Sequence, residues 1–585
     1  MNYVTGALAG LNLAVNRWGG DATTEYNWSV DKTNVASDWF FEVFAQNSGT
    51  TTPFDPVTHN NSEFDLTFEA NKRMGMKTVG TIPITGWVAG DFPDKTCSYS
   101  VKKYGAQQQT DQWAPDCGNG RTASGQAITW NDPTDADTQV DPAFMTQWVQ
   151  HVVGLYGFAA QGGVAIWEMD NEPVFWSGVH QNIHPDASTY DEVTNDGLNY
   201  AQAVKAADPT AAVSGPITSK WDDLFFSAKD IQAGYGSQGA ENWKPWNNPI
   251  DREAHGNLDF VAYYLQQFAA YEKNTGQRLL DYLDIHAYVP GAGMSGTDPA
   301  TNAMRLEAPR VFWDTNFILY NDPNFNQFSD DYLLNDSPYP AGAWTQPECV
   351  CLIPRMKNWV AQNYPGTKLA ITEYNLGEQS SLSGGLAQAD VLGVFGREGL
   401  DLATLWATVN PGDPAAFAYL MYRNYDGNNS AFGTMSVLAE SADQSQLSIY
   451  GAQRDDGTLT IMVINKTGND LRSAIALNHF EPGGPVQVWQ YGPANLAAIV
   501  QGAHVTASRG RLLAFFPANS ITLLVAHPNR GCGHREGGRG CPSHGRDDDD
   551  GGIGGGSSTR TSSTSTGTSS SIIGGGATAP TSGQP

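Results

Sequence analysis

Two glutamates, Glu172 and Glu373, each stand at the end of a short apolar run of the sequence. Glu172 belongs to an Asp-Asn-Glu-Pro element that directly follows residues 164–169, and Glu373 belongs to an Ile-Thr-Glu-Tyr-Asn element at residues 371–375. These runs are rich in β-branched and aromatic residues, which favour strands, and Pro173 cannot donate to a sheet ladder. We therefore expect two strands that end at these carboxyl groups, the first of them at Glu172 itself.

A pair of facing carboxyl groups can divide acid and base chemistry. One group, kept protonated, gives its proton to a leaving oxygen, and the other, ionised, attacks or activates water, as hydrolysis of a glycosidic bond requires. Two alternatives remain open. Asp-Asn-Glu-Pro also favours a turn, and a single glutamate in a chain with 61 acidic residues is most often a solvated surface group. Two glutamates at matching strand ends favour the catalytic interpretation.

Predicted strands and helices alternate through residues 1–415. Strands are expected near residues 12–20, 77–83, 164–172, 212–216, 283–288, 368–375 and 402–406, and helices near 37–44, 63–74, 142–158, 191–208, 258–274, 352–363 and 387–398. This alternation is typical of a parallel sheet with crossover helices, and at this length a (β/α)8 TIM-type barrel fits best. The carboxyl ends of barrel strands share one face, so distant glutamates can meet there.

The C-terminal part of the chain has a different pattern. Short alternating apolar runs separated by turns predict an antiparallel β-sandwich at residues 416–527. Residues 528–585 are Gly, Ser, Thr and charged residues, which predicts a disordered linker or tail. Cys532-Gly-His534 and Cys541-Pro-Ser-His544 superficially resemble metal ligands, but the tail offers no element to hold them, so we predict no metal ligands there.

Composition limits the partners. A net charge of -28 and a pI near 4.6 argue against nucleic acid and anionic membrane surfaces, whereas a neutral substrate is compatible with both values. The sequence contains no run of 18 apolar residues, so it predicts no membrane-spanning helix. The 17 Trp residues include candidate platforms for sugar rings, although most Trp residues in any protein are core residues. Cys97 and Cys117 bracket a polar loop that a disulfide could close, which would indicate an oxidising compartment.

Several stretches of the chain share their residues and their order with one enzyme family. They are Arg17-Trp-Gly-Gly20, Tyr26-Asn-Trp28, Asp170-Asn-Glu-Pro173, His184-Pro185, Pro365-Gly-Thr-Lys-Leu369, Ile371-Thr-Glu-Tyr-Asn375, residues 390–406, Tyr422-Arg-Asn-Tyr-Asp-Gly427 and Met462-Val-Ile-Asn-Lys466. Together they resemble glycoside hydrolase family 44, over residues 10–526. The Asn-Glu-Pro element alone is shared by many clan A glycosidases, whereas the combination with an attached sandwich is specific.

The resemblance implies a retaining, endo-acting β-1,4-glucanase that acts on β-glucans such as carboxymethylcellulose and on xyloglucan. It assigns the general acid/base to Glu172 and the nucleophile to Glu373. Glu373 would attack the anomeric carbon while Glu172 protonates the leaving oxygen and later activates water. Asn171 would hydrogen-bond the sugar 2-hydroxyl. No cofactor is required, and a structural calcium ion in the loops is compatible with the sequence.

Further residues are candidates for substrate binding. His286 and Tyr288 share a strand face and would orient or tune the nucleophile, although a core histidine and a packing tyrosine remain the alternative. Trp406 closes the last predicted strand and is expected to form the floor of the central subsite. Trp28 is expected to stack on an outer sugar. Arg17, at the end of the first predicted strand, completes the set.

The resemblance also indicates a missing strand. In clan A enzymes the acid/base follows the fourth barrel strand and the nucleophile the seventh. Counting back from Glu172, the strand at Lys77 is the third and the strand at Arg17 the second, so the first is absent from the sequence. We therefore expect Met1 to be an internal methionine of a longer, secreted, monomeric protein, which would also account for the absence of a signal peptide.

Two alternative functions remain open. A clan A xylanase or mannanase would use the same chemistry on another polysaccharide, and loop residues would decide between these substrates. A protein of another class would bind carbohydrate on a degenerate barrel without catalysis. The presence of both Glu172 and Glu373 argues against this second alternative.

Overall fold

The computed structural model describes residues 10–47, 51–238, 248–288, 296–318 and 349–529. The described residues through Asn529 belong to one compact unit. The predicted disorder and the Cys/His pairs of the tail, from residue 530 onward, lie outside the described residues. No helix in the described ranges is both long enough and apolar enough to cross a bilayer.

The described residues form the following strands and helices. The strands are β1 (Val15–Trp18), β2 (Tyr26–Asn27), β3 (Lys32–Asn34), β4 (Val43–Ala45), β5 (Lys77–Ile82), β6 (Trp87–Ala89), β7 (Asp137–Gln139), β8 (Ile166–Met169), β9 (Ala212–Thr218), β10 (Tyr282–Tyr288), β11 (Lys368–Asn375), β12 (Leu402–Leu405), β13 (Met435–Val437), β14 (Leu447–Gln453), β15 (Leu459–Asn465), β16 (Leu471–Ala476), β17 (Gln487–Gly492), β18 (Asn495–Gln501), β19 (Arg511–Phe516) and β20 (Ser520–Ala526). The helices are α1 (Glu63–Arg73), α2 (Val101–Tyr104), α3 (Pro142–Tyr156), α4 (Trp176–Val179), α5 (Tyr190–Ala207), α6 (Ala228–Gln238), α7 (Ile250–Ala254), α8 (Phe260–Thr275), α9 (Pro299–Glu307), α10 (Leu352–Asn363), α11 (Leu382–Glu398) and α12 (Pro414–Arg423).

Parallel strands form the barrel, in the order β1-β5-β8-β9-β10-β11-β12. At least one helix separates each of these strands from the next in sequence. Because helices cover such a sheet, its inner strands β5, β8, β9, β10 and β11 are buried along most of their length, which is why strand-like runs could be recognised in the sequence. The nearly closed parallel sheet of seven strands, among the described residues, confirms the predicted fold class.

A cavity of about 560 Å³ lies between the two edge strands of the barrel, β1 and β12. Its lining includes the apolar side chains of Leu11, Val15, Ala403 and Leu405. A barrel of this type closes with eight strands. The cavity therefore lies where an eighth strand would pair.

The prediction of a helix at residues 37–44 is wrong. The chain instead forms a 3-10 helix at Ala36–Trp39, after which Phe40 and Phe41 adopt left-handed φ angles of 52° and 54°. Non-glycine residues in this conformation cannot continue a right-handed helix. The turn leads into β4, which pairs antiparallel with β3.

Residues 435–526 form antiparallel sheets, as predicted. One sheet has the order β13-β14-β15-β20-β17-β18, and the second consists of β16 and β19. The predicted boundary between residues 415 and 416 falls inside α12, which follows the last barrel strand. We propose that the barrel domain extends through Arg423.

Asp390 on α11 connects the barrel to the sandwich. Its carboxylate accepts hydrogen bonds from the Tyr450 hydroxyl at 2.6 Å and from Lys466 Nζ at 2.7 Å. The side chains of Asp390 and Lys466 are each 3% exposed. A buried charge pair of this kind fixes the sandwich against the helix that follows the strand of Glu373.

Candidate active site

Glu172 lies beyond the end of β8. The strand ends at Met169 rather than at Glu172, because Asp170 and Glu172 adopt left-handed φ angles of 65° and 42°. The Asp170 carboxylate stabilises this turn by accepting hydrogen bonds from Ile84 N at 2.7 Å and from Thr24 Oγ1 at 2.7 Å. The strand and the turn interpretations of this element are thus each partly correct. The turn places Glu172 over the carboxyl end of the barrel.

Glu373 lies within β11, opposite His286 on β10. Its side chain is buried, and both carboxylate oxygens accept hydrogen bonds. Arg17 Nη1 donates to Oε1 at 2.6 Å, and the Tyr288 hydroxyl donates to Oε2. These two donors, from two different strands, fix the orientation of the carboxylate.

His286 lies between the two glutamates. Its Nδ1 donates to Glu172 Oε1 at 2.7 Å and lies 3.6 Å from Glu373 Oε2. One oxygen of each carboxylate and a ring nitrogen of His286 all lie within 4.8 Å of one another. Retaining glycosidases have carboxyl groups about 5 to 5.5 Å apart, whereas inverting enzymes need about 6.5 to 9.5 Å. The separation fits retention.

The same three side chains have the donor atoms of a metal site. Arg17 nevertheless supplies the positive charge here, with Nη1 at 2.6 Å from Glu373 Oε1. A metal cation in the cluster would lie against this guanidinium, and like charges repel strongly where water is excluded. We therefore assign hydrogen bonding, not metal binding, to the cluster.

The charges around Glu373 favour its ionised form. Burial alone would raise the pKa of Glu373, but His286, Arg17 and the hydrogen bond from Tyr288 lower that pKa below its ordinary value. Burial lowers the pKa of His286, but the two glutamates more than offset this effect and raise it. An ionised, buried carboxylate is the state that a nucleophile requires.

Arg17 contacts three residues of the site. Besides Glu373, it donates from Nε to Glu168 Oε2 at 2.6 Å and from Nη2 to Asn171 Oδ1 at 2.8 Å. Its side chain is 3% exposed. With each nitrogen engaged and the side chain buried, Arg17 orients the Glu373 carboxylate and the Asn171 amide, whereas the sequence predicted it among the substrate-binding residues.

Asp21 is a site residue that the sequence analysis did not single out. It accepts a hydrogen bond from Asn171 Nδ2 at 2.6 Å, which leaves the second Nδ2 hydrogen for a sugar hydroxyl. Burial and the nearby Glu172 raise the pKa of Asp21 to about 6. The available signal was its place directly after a barrel strand, because the loops after these strands form the site.

Comparison with known proteins identifies the family. The sequence model of glycoside hydrolase family 44 matches residues 32–290. The crystal structure of CelM2, a bifunctional glucanase-xylanase from a metagenome library, is similar with a TM-score of 0.79 and 38% identity, over 90% of this chain and 94% of that one. The chain belongs to glycoside hydrolase family 44.

Two further relatives are similar to this family 44 chain over most of its length. Endoglucanase A of Paenibacillus lautus is 29% identical over 477 residues, with 78% of this chain and 60% of that protein covered. A family 44 xyloglucanase of Paenibacillus polymyxa has a TM-score of 0.68 and 26% identity, over 89% of this chain and 94% of that one. The chain thus spans less than two thirds of the length of Endoglucanase A.

The two tryptophans expected at the family 44 site lie in different environments. Trp406 directly follows β12, is 39% exposed, and its ring lies against Gly20. Gly20 has a φ of 113°, and a β-carbon there would lie 3.0 Å from the Trp406 ring, so the position requires glycine. Trp28 is 7% exposed and packs against Phe144 and His151. The structure places Trp28 in the core and does not bring it to the site.

Proposed function

We propose that this family 44 chain is a retaining, endo-acting glycoside hydrolase that cleaves β-1,4-glucosidic bonds in cellulose-type glucans, in xyloglucan, or in both. One observation carries the proposal: Glu172 and Glu373 approach within 4.8 Å, and Arg17 holds one of them with a buried charge. Relatives named endoglucanase and xyloglucanase support the substrate class.

In the first step, Glu373 attacks the anomeric carbon. The bond to the leaving oxygen breaks as Glu172 gives that oxygen its proton, and a covalent glycosyl-enzyme forms on Glu373. Arg17 and Tyr288 hold the attacking carboxylate, so no reorientation is needed at the moment of reaction. Asn171 binds the 2-hydroxyl of the same sugar through the free hydrogen of Nδ2.

In the second step, Glu172 acts as a base. It takes a proton from a water molecule, whose oxygen attacks the anomeric carbon and releases Glu373 as a carboxylate. Two inversions at one carbon give net retention. The hydrogen bond from His286 keeps Glu172 in place through both steps. Trp406, exposed beside Gly20, forms the floor on which the sugar stacks.

The proposal also covers the location of the enzyme, its oligomeric state, its cofactor requirement and its domains. We infer secretion from the Cys97–Cys117 disulfide, because disulfides persist in oxidising compartments. We also propose that the protein is a monomer. It needs no cofactor, since two carboxyl groups supply the acid, the base and the nucleophile. A barrel domain through Arg423, a sandwich to residue 527 and a tail at residues 528–585 complete the proposal.

The test measures viscosity loss and reducing-sugar release on carboxymethylcellulose, xyloglucan, xylan and mannan. The chain is compared with Glu172→Gln and Glu373→Gln, and with Glu69→Gln as a matched control on the exposed face of α1. We expect rapid viscosity loss on the glucans. Glu172→Gln should reduce activity by about 10² to 10⁴-fold, Glu373→Gln should abolish it, and Glu69→Gln should leave it unchanged.

Other outcomes would support one of the alternative functions. A higher rate on xylan or mannan than on both glucans would assign a xylanase or a mannanase, and xylan has priority because CelM2 is a bifunctional glucanase-xylanase. Glucan binding without sugar release, unaffected by either catalytic substitution, would support a carbohydrate-binding protein. Proton NMR of the first product formed measures its anomeric configuration. An inverted configuration would contradict double displacement.

A further inference from the structure

Glu168 is a buried carboxylate that takes no part in the proton transfers or the bond formation of the proposed reaction. It lies on β8 and is 0% exposed. Its Oε2 accepts hydrogen bonds from Arg17 Nε at 2.6 Å and from Thr81 Oγ1 at 2.8 Å. Its Oε1 has no hydrogen-bond partner among the described residues. One oxygen of Glu168 thus holds the same guanidinium that holds Glu373.

Arg17 is therefore shared between two carboxylates. Its Nε donates to Glu168 and its Nη1 donates to Glu373, each at 2.6 Å. The side chains of Arg17, Glu168 and Glu373 are 3%, 0% and 6% exposed, so little water screens their charges. One positive charge cannot fully compensate two negative charges. Each carboxylate therefore weakens the hold of Arg17 on the other.

The charge on Glu373 changes during the proposed reaction. One of its oxygens bonds to the anomeric carbon while the leaving oxygen departs with the proton of Glu172, so the carboxylate becomes a neutral ester. Arg17 then loses one of its two anionic partners. A buried guanidinium without any carboxylate is strongly destabilising. Glu168 forms no bond to the sugar and remains beside Arg17 after the attack.

We propose that Glu168 is a positioning residue that acts on the nucleophile through Arg17, a role that rests on the proposed function of Glu373. Before the attack, Glu168 takes up part of the charge of Arg17, so Glu373 is less strongly stabilised as a carboxylate and attacks more readily. After the attack, Glu168 compensates the guanidinium and stabilises the glycosyl-enzyme. Both effects favour formation of the covalent intermediate.

Other titratable groups lie around the two carboxylates. Besides Arg17, the groups that face Glu373 are Glu172, His286 and Tyr288. On the side of Glu168, burial and the charge of Glu168 raise the pKa of Asp284, which lies on β10. A change at Glu168 can therefore act through Arg17 or through Asp284, and the experiment must separate these two routes.

Glu168→Gln removes the charge of Glu168 and keeps its hydrogen bonds. The amide oxygen can accept from Arg17 and Thr81, and the NH₂ group takes the place of Oε1, which meets no donor among the described residues. Asp281→Asn is the matched control. Asp281 pairs with Lys205 Nζ at 2.7 Å and directly precedes β10, at the end of the barrel opposite to the site.

Two measurements use the full chain and these variants. The first is the profile of kcat/KM against pH on the glucan that the unmodified chain cleaves fastest. The second is the rate of covalent labelling by 2,4-dinitrophenyl 2-deoxy-2-fluoro-β-cellobioside, followed by intact mass. Labelling forms the ester on Glu373 and releases dinitrophenolate, so it reports the first step alone.

In Glu168→Gln the whole charge of Arg17 acts on Glu373. The acidic limb of the profile should therefore move by about one unit to lower pH, and labelling should slow at least tenfold. Asp281→Asn should change neither. When Arg17→Met is also present, Glu168→Gln should no longer move the limb, because the group that transmits the effect is missing. A shift that persists there would assign the effect to Asp284 and overturn the proposal.

Two further outcomes decide against the role of Glu168. An unmodified chain that neither cleaves glucan nor becomes labelled would contradict the proposed function and this role with it. An active chain whose acidic limb and labelling rate do not change in Glu168→Gln would overturn this role alone. If Glu168→Gln does not fold, Glu168→Asp replaces it. Asp keeps the charge but places it about 1.5 Å farther from Arg17, so the limb should move in the same direction by less, and an unmoved limb would overturn the proposal.

Discussion

Arg17 and Glu373 form an ion pair of 2.6 Å in which both side chains are almost completely buried, at 3% and 6% exposure. The same guanidinium also binds Glu168 and Asn171. A planar group with five fixed donors can serve three partners at once, which an ammonium group cannot. Arg17, from the opposite end of the barrel sequence, therefore acts together with His286 and Tyr288 to set the charge state and the orientation of Glu373.

Replacing Arg17 should impair catalysis through Glu373. In Arg17→Met the pKa of Glu373 rises, because a positive neighbour that lowers it is lost. The acidic limb of the profile of kcat/KM against pH should then move to higher pH, and kcat should fall by at least about 10²-fold. Arg17→Lys keeps the charge, so it should preserve the limb better than it preserves kcat. An unchanged acidic limb in Arg17→Met would contradict this role.

The sequence could reveal the barrel and its two glutamates for a physical reason. Strands buried on both faces appear as apolar runs, and a carboxyl group that follows such a run stands out, as at Glu172 and Glu373. The Arg17 network could not be found in this way. It depends on which strands are neighbours across the barrel, and a single sequence does not show that adjacency.

The sequence also did not show which of the tryptophan side chains are exposed. Trp28 follows β2 and Trp406 follows β12, yet α3 covers Trp28 with Phe144 and His151 while Trp406 remains 39% exposed. Tertiary packing, not local sequence, decides such cases. The prediction of a helix at residues 37–44 was wrong because Phe40 and Phe41 adopt left-handed φ angles. Aromatic residues rarely adopt this conformation, so the sequence contained no sign of it.

His286 should contribute stability that depends on pH. Its folded-state pKa lies above the ordinary value of about 6.5, so the stability that it adds is fully present below that value and is lost as pH rises through the folded pKa. The free energy of unfolding of the unmodified chain should exceed that of His286→Asn by more at pH 6 than at pH 9. Urea denaturation at both pH values measures the difference. A difference that does not change with pH would leave His286 a packing role only.

The two tryptophans should respond oppositely to removal. Trp406→Ala should raise KM about tenfold, in line with a lost stacking contact of about 1.4 kcal/mol, and should leave Tm nearly unchanged. Trp28→Ala should lower stability by about 3 to 5 kcal/mol through the cavity it leaves, with little change in the KM of the folded fraction. Steady-state kinetics on xyloglucan and thermal unfolding of both variants give the comparison. A KM effect of Trp28→Ala equal to that of Trp406→Ala would place both rings at the substrate.

The buried pair Asp390–Lys466 should matter far more than an exposed pair of the same length. Lys466 Nζ lies 2.7 Å from Asp390, and Lys32 Nζ lies 2.7 Å from Asp91, whose side chain is 74% exposed. Asp390→Ala leaves an uncompensated buried ammonium group and should cost about 3 to 5 kcal/mol. Asp91→Ala should cost less than about 1 kcal/mol, because water screens the exposed charges.

Denaturant unfolding of the two variants tests this contrast. Tyr450 also loses its hydrogen-bond acceptor in Asp390→Ala, so the sandwich should separate from α11 before the barrel unfolds. Far-UV circular dichroism and tryptophan fluorescence would then give transitions that do not coincide. Equal losses in Asp390→Ala and Asp91→Ala would show that burial does not strengthen the contact, and the sandwich would have to be held by apolar packing alone.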